Sequence, residues 1–156
     1  MSTAIHTLHV VLAGVWLGSV VFTTAVISPA LKKMKWSEAE RVSVRSTIGK
    51  QYARVGTANL ALLLIVAVVD GLLRGFGPIF YVEYALLVMV FGLVAVHGAY
   101  FGRRLVSLAD AERRAANIEK ARAFAEERRT LQRLSLRVSQ VDVLVSMTIL
   151  ALATNA

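Results

Sequence analysis

Four long apolar stretches separated by charged connections set the pattern of this chain. Residues 1–31 contain no Lys, Arg, Asp or Glu. A bilayer core about 30 Å thick is crossed by about 20 mostly apolar helical residues, so this stretch predicts a spanning helix over about 4–31, with Pro29 in its last turn. Lys32, Lys33 and Lys35 then mark a boundary, and Trp36 suits the interface. Ser37 and Glu40 have the spacing of a capping box. A short amphipathic helix should follow, using Val42 and Ile48 as apolar contacts and ending near Gly49. The second span covers about 51–73, and Gly75, Gly77 and Pro78 make a tight turn into the third, about 79–102.

Residues 103–156 hold neither Gly nor Pro and are rich in Ala, Glu, Arg and Leu, all good helix formers. The third helix is therefore expected to leave the membrane as a stalk over about 103–137 and to turn near Asn117. The fourth returns and spans about 138–154. Leu105, Leu108, Ala111, Ala115 and Ile118 offer a seam for an antiparallel stalk hairpin, with a surface-lying amphipathic helix as the alternative. Asp110/Arg114, Glu119/Arg122 and Glu126/Arg129 are spaced for pairs within one helix. The predicted fold class is all-α: a single membrane domain over 1–156, a transmembrane four-helix bundle with a cytoplasmic helical-hairpin extension between helices 3 and 4.

Composition strengthens this reading. The chain is 56% hydrophobic with a mean hydropathy of +0.61, too apolar for a soluble domain of 156 residues. The absence of cysteine removes disulfides and thiolate metal sites. The net charge of +8 sits beside the spans, so it points to membrane topology and anionic lipid rather than nucleic acid. Of the basic residues, 7, 1 and 10 fall in the first, second and third connections, which places both termini outside and the stalk in the cytoplasm. No basic n-region of a cleaved signal peptide precedes the first apolar run. The expected location is the plasma membrane of a prokaryote.

Ionisable groups within spans need a reason. Depth sorts them into two layers. Near the outer face lie His6, His9, Asp70 and Glu83 with Tyr81 and Tyr84, and Met89 and Met147 follow in the outer halves of their helices. In the inner half lie Asn59, His97, Gln140 and Asp142. His9 and His97 should sit about 15 Å apart along the bilayer normal, too far to share one metal. His6 and His9, one turn apart, with Met89 and Met147 make a candidate copper site, since thioether suits Cu(I) and imidazole suits copper, iron and zinc. His9 with Met147 or Met89 could instead bracket a haem iron. The structural alternative is that the histidines bond Asp70, Glu83 or water and the methionines fill gaps. Ser135, Ser139, Asp142 and Ser146 form a polar stripe that should face the bundle, and Asp142 is expected to pair with His97. Gly14 and Gly18 form a GxxxG pair suited to close helix approach. No phosphate loop, GxSxG elbow or HExxH is present, so catalysis by the chain's own side chains has little support.

The order of features resembles the copper-resistance D (CopD)-like family of integral membrane proteins. The resemblance lies in HTLHVVLAGVWLG and ISPAL on the first helix, QYARVGTANLALLL at the entry to the second, and HGAYFGRRL at the end of the third. It implies copper uptake or handling. The distantly similar HemJ-type proteins bind haem b, and His6, His9 and His97 inherit a candidate ligand role from the resemblance. Three functions stay open: copper handling at the outer face, a haem-b electron carrier, and an accessory subunit or homo-oligomer whose polar residues only fix packing.

Overall fold

The computed structural model describes residues 2–155, except for the side chains of Ser2, Glu38, Ala39 and Val42. The contact expected of Val42 lies outside the described residues. Helix α1 (Ser2–Val21) runs through a π-helical turn (Phe22–Ile27) into α2 (Ser28–Lys33). Pro29 explains the widened turn: it has no N–H to donate, and its ring crowds the carbonyl one turn back. The hydroxyls of Thr23 and Thr24 donate to the Ser19 and Val20 carbonyls at 2.7 and 2.8 Å, which helps to satisfy backbone acceptors beside the disturbed ladder.

Helix α3 covers Glu38–Arg74 without a break. The expected stop at Gly49 does not occur. One glycine costs a helix about 1 kcal/mol and ends it only with a left-handed turn behind it, and Lys50 and Gln51 propagate the helix instead. The capping box forms as read: the Glu40 N–H donates to Ser37 Oγ at 3.3 Å, and the Ser37 N–H donates to Glu40 Oε2 at 2.8 Å. The helix ends at Gly75, whose φ of +90° suits glycine, and α4 (Pro78–Val96) starts on Pro78. After a second π-helical turn (His97–Gly102) the chain continues as α5 (Arg103–Arg113), turns, and returns as α6 (Ile118–Ala153).

Four of these helical runs, Thr3–Lys33, Ser43–Arg74, Pro78–Arg113 and Ile118–Ala153, are long and apolar enough to cross a membrane. They form an all-helical bundle in which α1 packs against α3 and α6, and α4 packs against α6 and α3. Trp16, Leu60, Leu63, Leu87, Val90 and Ile149 fill its centre. Large apolar side chains such as Ile65, Leu72, Val88 and Leu144 cover its outside, as suits a lipid solvent. The polar stripe of α6 faces inward, and Ser146 accepts a hydrogen bond from Trp16 Nε1 at 2.9 Å.

Beyond the bundle, α5 packs antiparallel on the first half of α6, with Leu108 buried between them. The two helices thus pair as a hairpin. Asn117 caps α6 by accepting from the Lys120 N–H at 2.9 Å. Ile118 stays exposed, outside the expected seam. None of the three expected pairs is found among the described residues: Arg113 pairs with Asp110, while Arg104–Glu127 and Arg128–Glu112 tie the two helices together at 2.6 and 2.9 Å.

Candidate metal centre

Three helices bring their ionisable groups to one end of the bundle, opposite the hairpin. His6 and His9 come from the first turns of α1, Asp70 and Arg74 from the last turns of α3, and Glu83 from the start of α4. The three-residue connection between α3 and α4 fixes Asp70 and Glu83 at similar depth. Gly71 lets the two helices close. A Cβ there would lie 2.6 Å from Tyr84 Oη and 2.8 Å from the Phe76 ring, and Tyr84 Oη donates to the Ala67 carbonyl at 3.0 Å.

His9, Asp70 and Glu83 are fully buried, and His6 is partly exposed. Asp70 Oδ2 lies 3.2 Å from His6 Nδ1 and 3.3 Å from His9 Nδ1, and His9 Nε2 lies 2.8 Å from Glu83 Oε1. Arg74 Nε is 3.1 Å from Asp70 Oδ1, an ion pair outside hydrogen-bond geometry, since that oxygen has no hydrogen-bond partner. Glu83 Oε2 is likewise buried with no hydrogen-bond partner. Two carboxylates face one arginine, so with both imidazoles neutral the cluster holds one uncompensated buried negative charge. Such a charge is costly unless a cation or proton meets it.

The distances divide into two kinds. The His9–Glu83 contact has the length of a charge-assisted hydrogen bond, about 2.7–2.9 Å. Both contacts to Asp70 Oδ2 are longer. Two ligand atoms held about 2.1 Å from one ion are about 3.0 Å apart at the right angle of a tetragonal site and about 3.4 Å apart at a tetrahedral angle, and these separations fall between the two. One ligating atom each of His6, His9 and Asp70 lies within 4.8 Å of the others. Glu83 then stands where a carboxylate orients a ligating imidazole through its far nitrogen.

The methionines do not join this cluster. Met89 and Met147 are 49% and 54% exposed, on faces turned away from the bundle centre, so neither offers its sulfur to the histidines. The buried His97–Asp142 pair does not form. His97 is exposed and packs at a tilt against Phe101 with ring centroids 5.8 Å apart, while Asp142 Oδ1 accepts from Ser146 Oγ at 3.4 Å. Gln140 is exposed, and Asn59 Nδ2 donates to the Leu12 carbonyl at 3.3 Å. Gly14 and Gly18 face outward, with nothing within 4 Å of an added Cβ, so they serve no helix contact within the chain. The carboxylates complete the donor set. The signal for them was their position on either side of the short α3–α4 turn, at the level of His6 and His9.

A family described as a domain of unknown function (DUF4149) matches residues 11–114. That is about two thirds of the chain. The chain belongs to the DUF4149 family. No curated protein and no solved structure matches it. The matched stretch begins just after His9 and includes Asp70, Arg74 and Glu83. The histidine pair therefore lies outside the matched part of this DUF4149 member, and both carboxylates lie within it.

Proposed function

We propose that this DUF4149 member is a membrane metal-handling protein that holds a divalent copper ion on His6, His9 and Asp70. The observation that carries the reading is the pair of Nδ1 atoms 3.2 and 3.3 Å from one buried carboxylate oxygen. Two imidazoles and a carboxylate favour Cu(II) over Cu(I), and Cu(II) stands highest for nitrogen and oxygen donors in the divalent series. The resemblance to copper-resistance D proteins supports the same metal. The 7:1:10 distribution of basic residues supports a prokaryotic plasma membrane with the cluster at the outer face and the hairpin in the cytoplasm.

Haem b receives less support. His9 has a carboxylate near each ring nitrogen, and neither methionine turns toward it. The accessory-subunit reading keeps one observation in its favour, the outward Gly14–Gly18 face. The test is metal content of detergent-purified protein, with an absorption spectrum before and after dithionite. Copper near one equivalent, lost in His9→Ala and Asp70→Asn and reduced in His6→Ala, is the expected result. Met89→Leu and Met147→Leu should leave it unchanged. A Soret band would select haem. A colourless, metal-free protein that co-purifies with another chain would select the accessory subunit.

A further inference from the structure

The hairpin sorts its arginines into paired and unpaired ones. Arg104, Arg113 and Arg128 meet Glu127, Asp110 and Glu112. Arg133 and Arg137, further along α6, are both exposed and meet no acidic side chain among the described residues. None is in reach along their own helix, because no Asp or Glu occurs between Glu127 and Asp142. Like charges one turn apart repel, so this pair gains nothing within the chain.

With Thr130 and Leu134 the stems of the two arginines line a mostly apolar hollow of about 300 Å³. Leu134 is 48% exposed, although it is large and apolar. Arg137 is the last basic residue of the chain, and the apolar part of α6 begins with Val138. The hollow therefore opens where a helix leaves the hydrocarbon and meets the headgroups.

We propose that an anionic phospholipid docks here, with its phosphate held at the rim of the hollow by Arg133 and Arg137. The four-residue step separates the two Cα atoms by about 6 Å along the axis, so two long side chains can converge on one phosphate from either side. Each guanidinium offers a planar fork that matches phosphate oxygens. The Thr130 hydroxyl, one turn before Leu134, adds a donor, and the apolar floor around Leu134 takes the glycerol backbone. That apolar contact argues for a lipid rather than free phosphate. The positive charge argues for phosphatidylglycerol or cardiolipin rather than a zwitterionic lipid.

The test is native mass spectrometry of the full chain in detergent, titrated with phosphatidylglycerol, cardiolipin or phosphatidylcholine. The two anionic lipids should leave discrete adducts and phosphatidylcholine should not. Arg133→Gln/Arg137→Gln should lower the anionic-lipid affinity about thirtyfold, from two charges near a membrane surface. Arg114→Gln/Arg122→Gln removes the same charge near the hairpin tip and should leave the affinity within about twofold of wild type. Arg133→Lys/Arg137→Lys keeps the charge without the fork and should fall between. An equal loss in the tip variant, or full retention in the lysine variant, would overturn the clamp. Displacement of the lipid by millimolar inorganic phosphate would overturn the lipid as the occupant.

Discussion

At the scale of single residues, the cluster around His9 is where removing one group should matter most. His9 and Glu83 are fully buried and 2.8 Å apart, and Glu83 Oε2 has no other hydrogen-bond partner. Glu83→Leu leaves His9 Nε2 without its partner in low dielectric, and His9→Leu strands the Glu83 carboxylate. Each should destabilise the bundle by about 3 kcal/mol, while the double change should recover much of the loss. Detergent-unfolding midpoints of the four proteins check this, and simple additivity would mean that the two groups do not couple. These residue types and their depth were legible in the sequence, because charge within an apolar run is conspicuous. The choice among donors was not. Whether Met147 points inward depends on the rotation of α6, and every outward position on a lipid-facing helix is apolar too, so hydropathy cannot fix the phase of a methionine. His97 escaped for the same reason: its side of the helix is exposed, and the depth that places it level with Asp142 does not fix that rotation.

At the scale of elements, glycines and caps decide how the helices meet. Gly71 admits Tyr84 and Phe76 so closely that a methyl group must displace one of them. Gly71→Ala should cost about 1–3 kcal/mol, as overpacking does. It should also reduce bound copper, because the helix that carries Glu83 moves with Tyr84. Metal content and unfolding midpoint together test this, and an unchanged value of both would mean that α3 and α4 tolerate a wider approach. The same variation at Gly14 or Gly18 meets open space within the chain and should raise the monomer's midpoint slightly, because alanine is the better helix former. At the start of α3, hydrogen bonds from the Ser37 hydroxyl and backbone hold the Glu40 carboxyl below its ordinary range. A carboxyl depressed in the folded state stabilises above its unfolded pKa, and that contribution is lost as pH falls through the folded value. An NMR titration of Glu40 should therefore move up toward the ordinary carboxylate value in Ser37→Ala. This cap and the Asn117 cap were readable because both are local spacings. The continuity of α3 through Gly49 was not, since a glycine stops a helix only when its surroundings let it turn.

At the scale of the whole molecule, two ends of opposite character define the protein: a buried His–carboxylate cluster at one and a basic hairpin at the other. Their separation was legible because charge and hydropathy act over whole segments and survive errors in any one helix boundary. The proposed topology follows from the same asymmetry. Cytoplasmic connections carry the excess of Lys and Arg, and here the connections on the hairpin side hold seventeen of the eighteen. With the hairpin in the cytoplasm, the partly exposed His6 faces the outer side, where a metal arriving from outside meets the cluster without crossing the bilayer. The hairpin offers trypsin many arginines, with Arg114 and Arg122 exposed on either side of the turn before α6. Trypsin added to right-side-out vesicles should leave the hairpin intact, and the same addition to inverted vesicles should cut it into two membrane-held fragments. Lysed right-side-out vesicles serve as the control that the site can be cleaved at all. Copper retention should follow the same sidedness: a membrane-impermeant chelator should strip wild-type protein from the outer face of right-side-out vesicles and leave inverted vesicles loaded. Cleavage without lysis in right-side-out vesicles would reverse the orientation. It would place the His6–His9–Asp70 cluster on the cytoplasmic side, where the ion it holds would come from the cell's own metal pool rather than from outside.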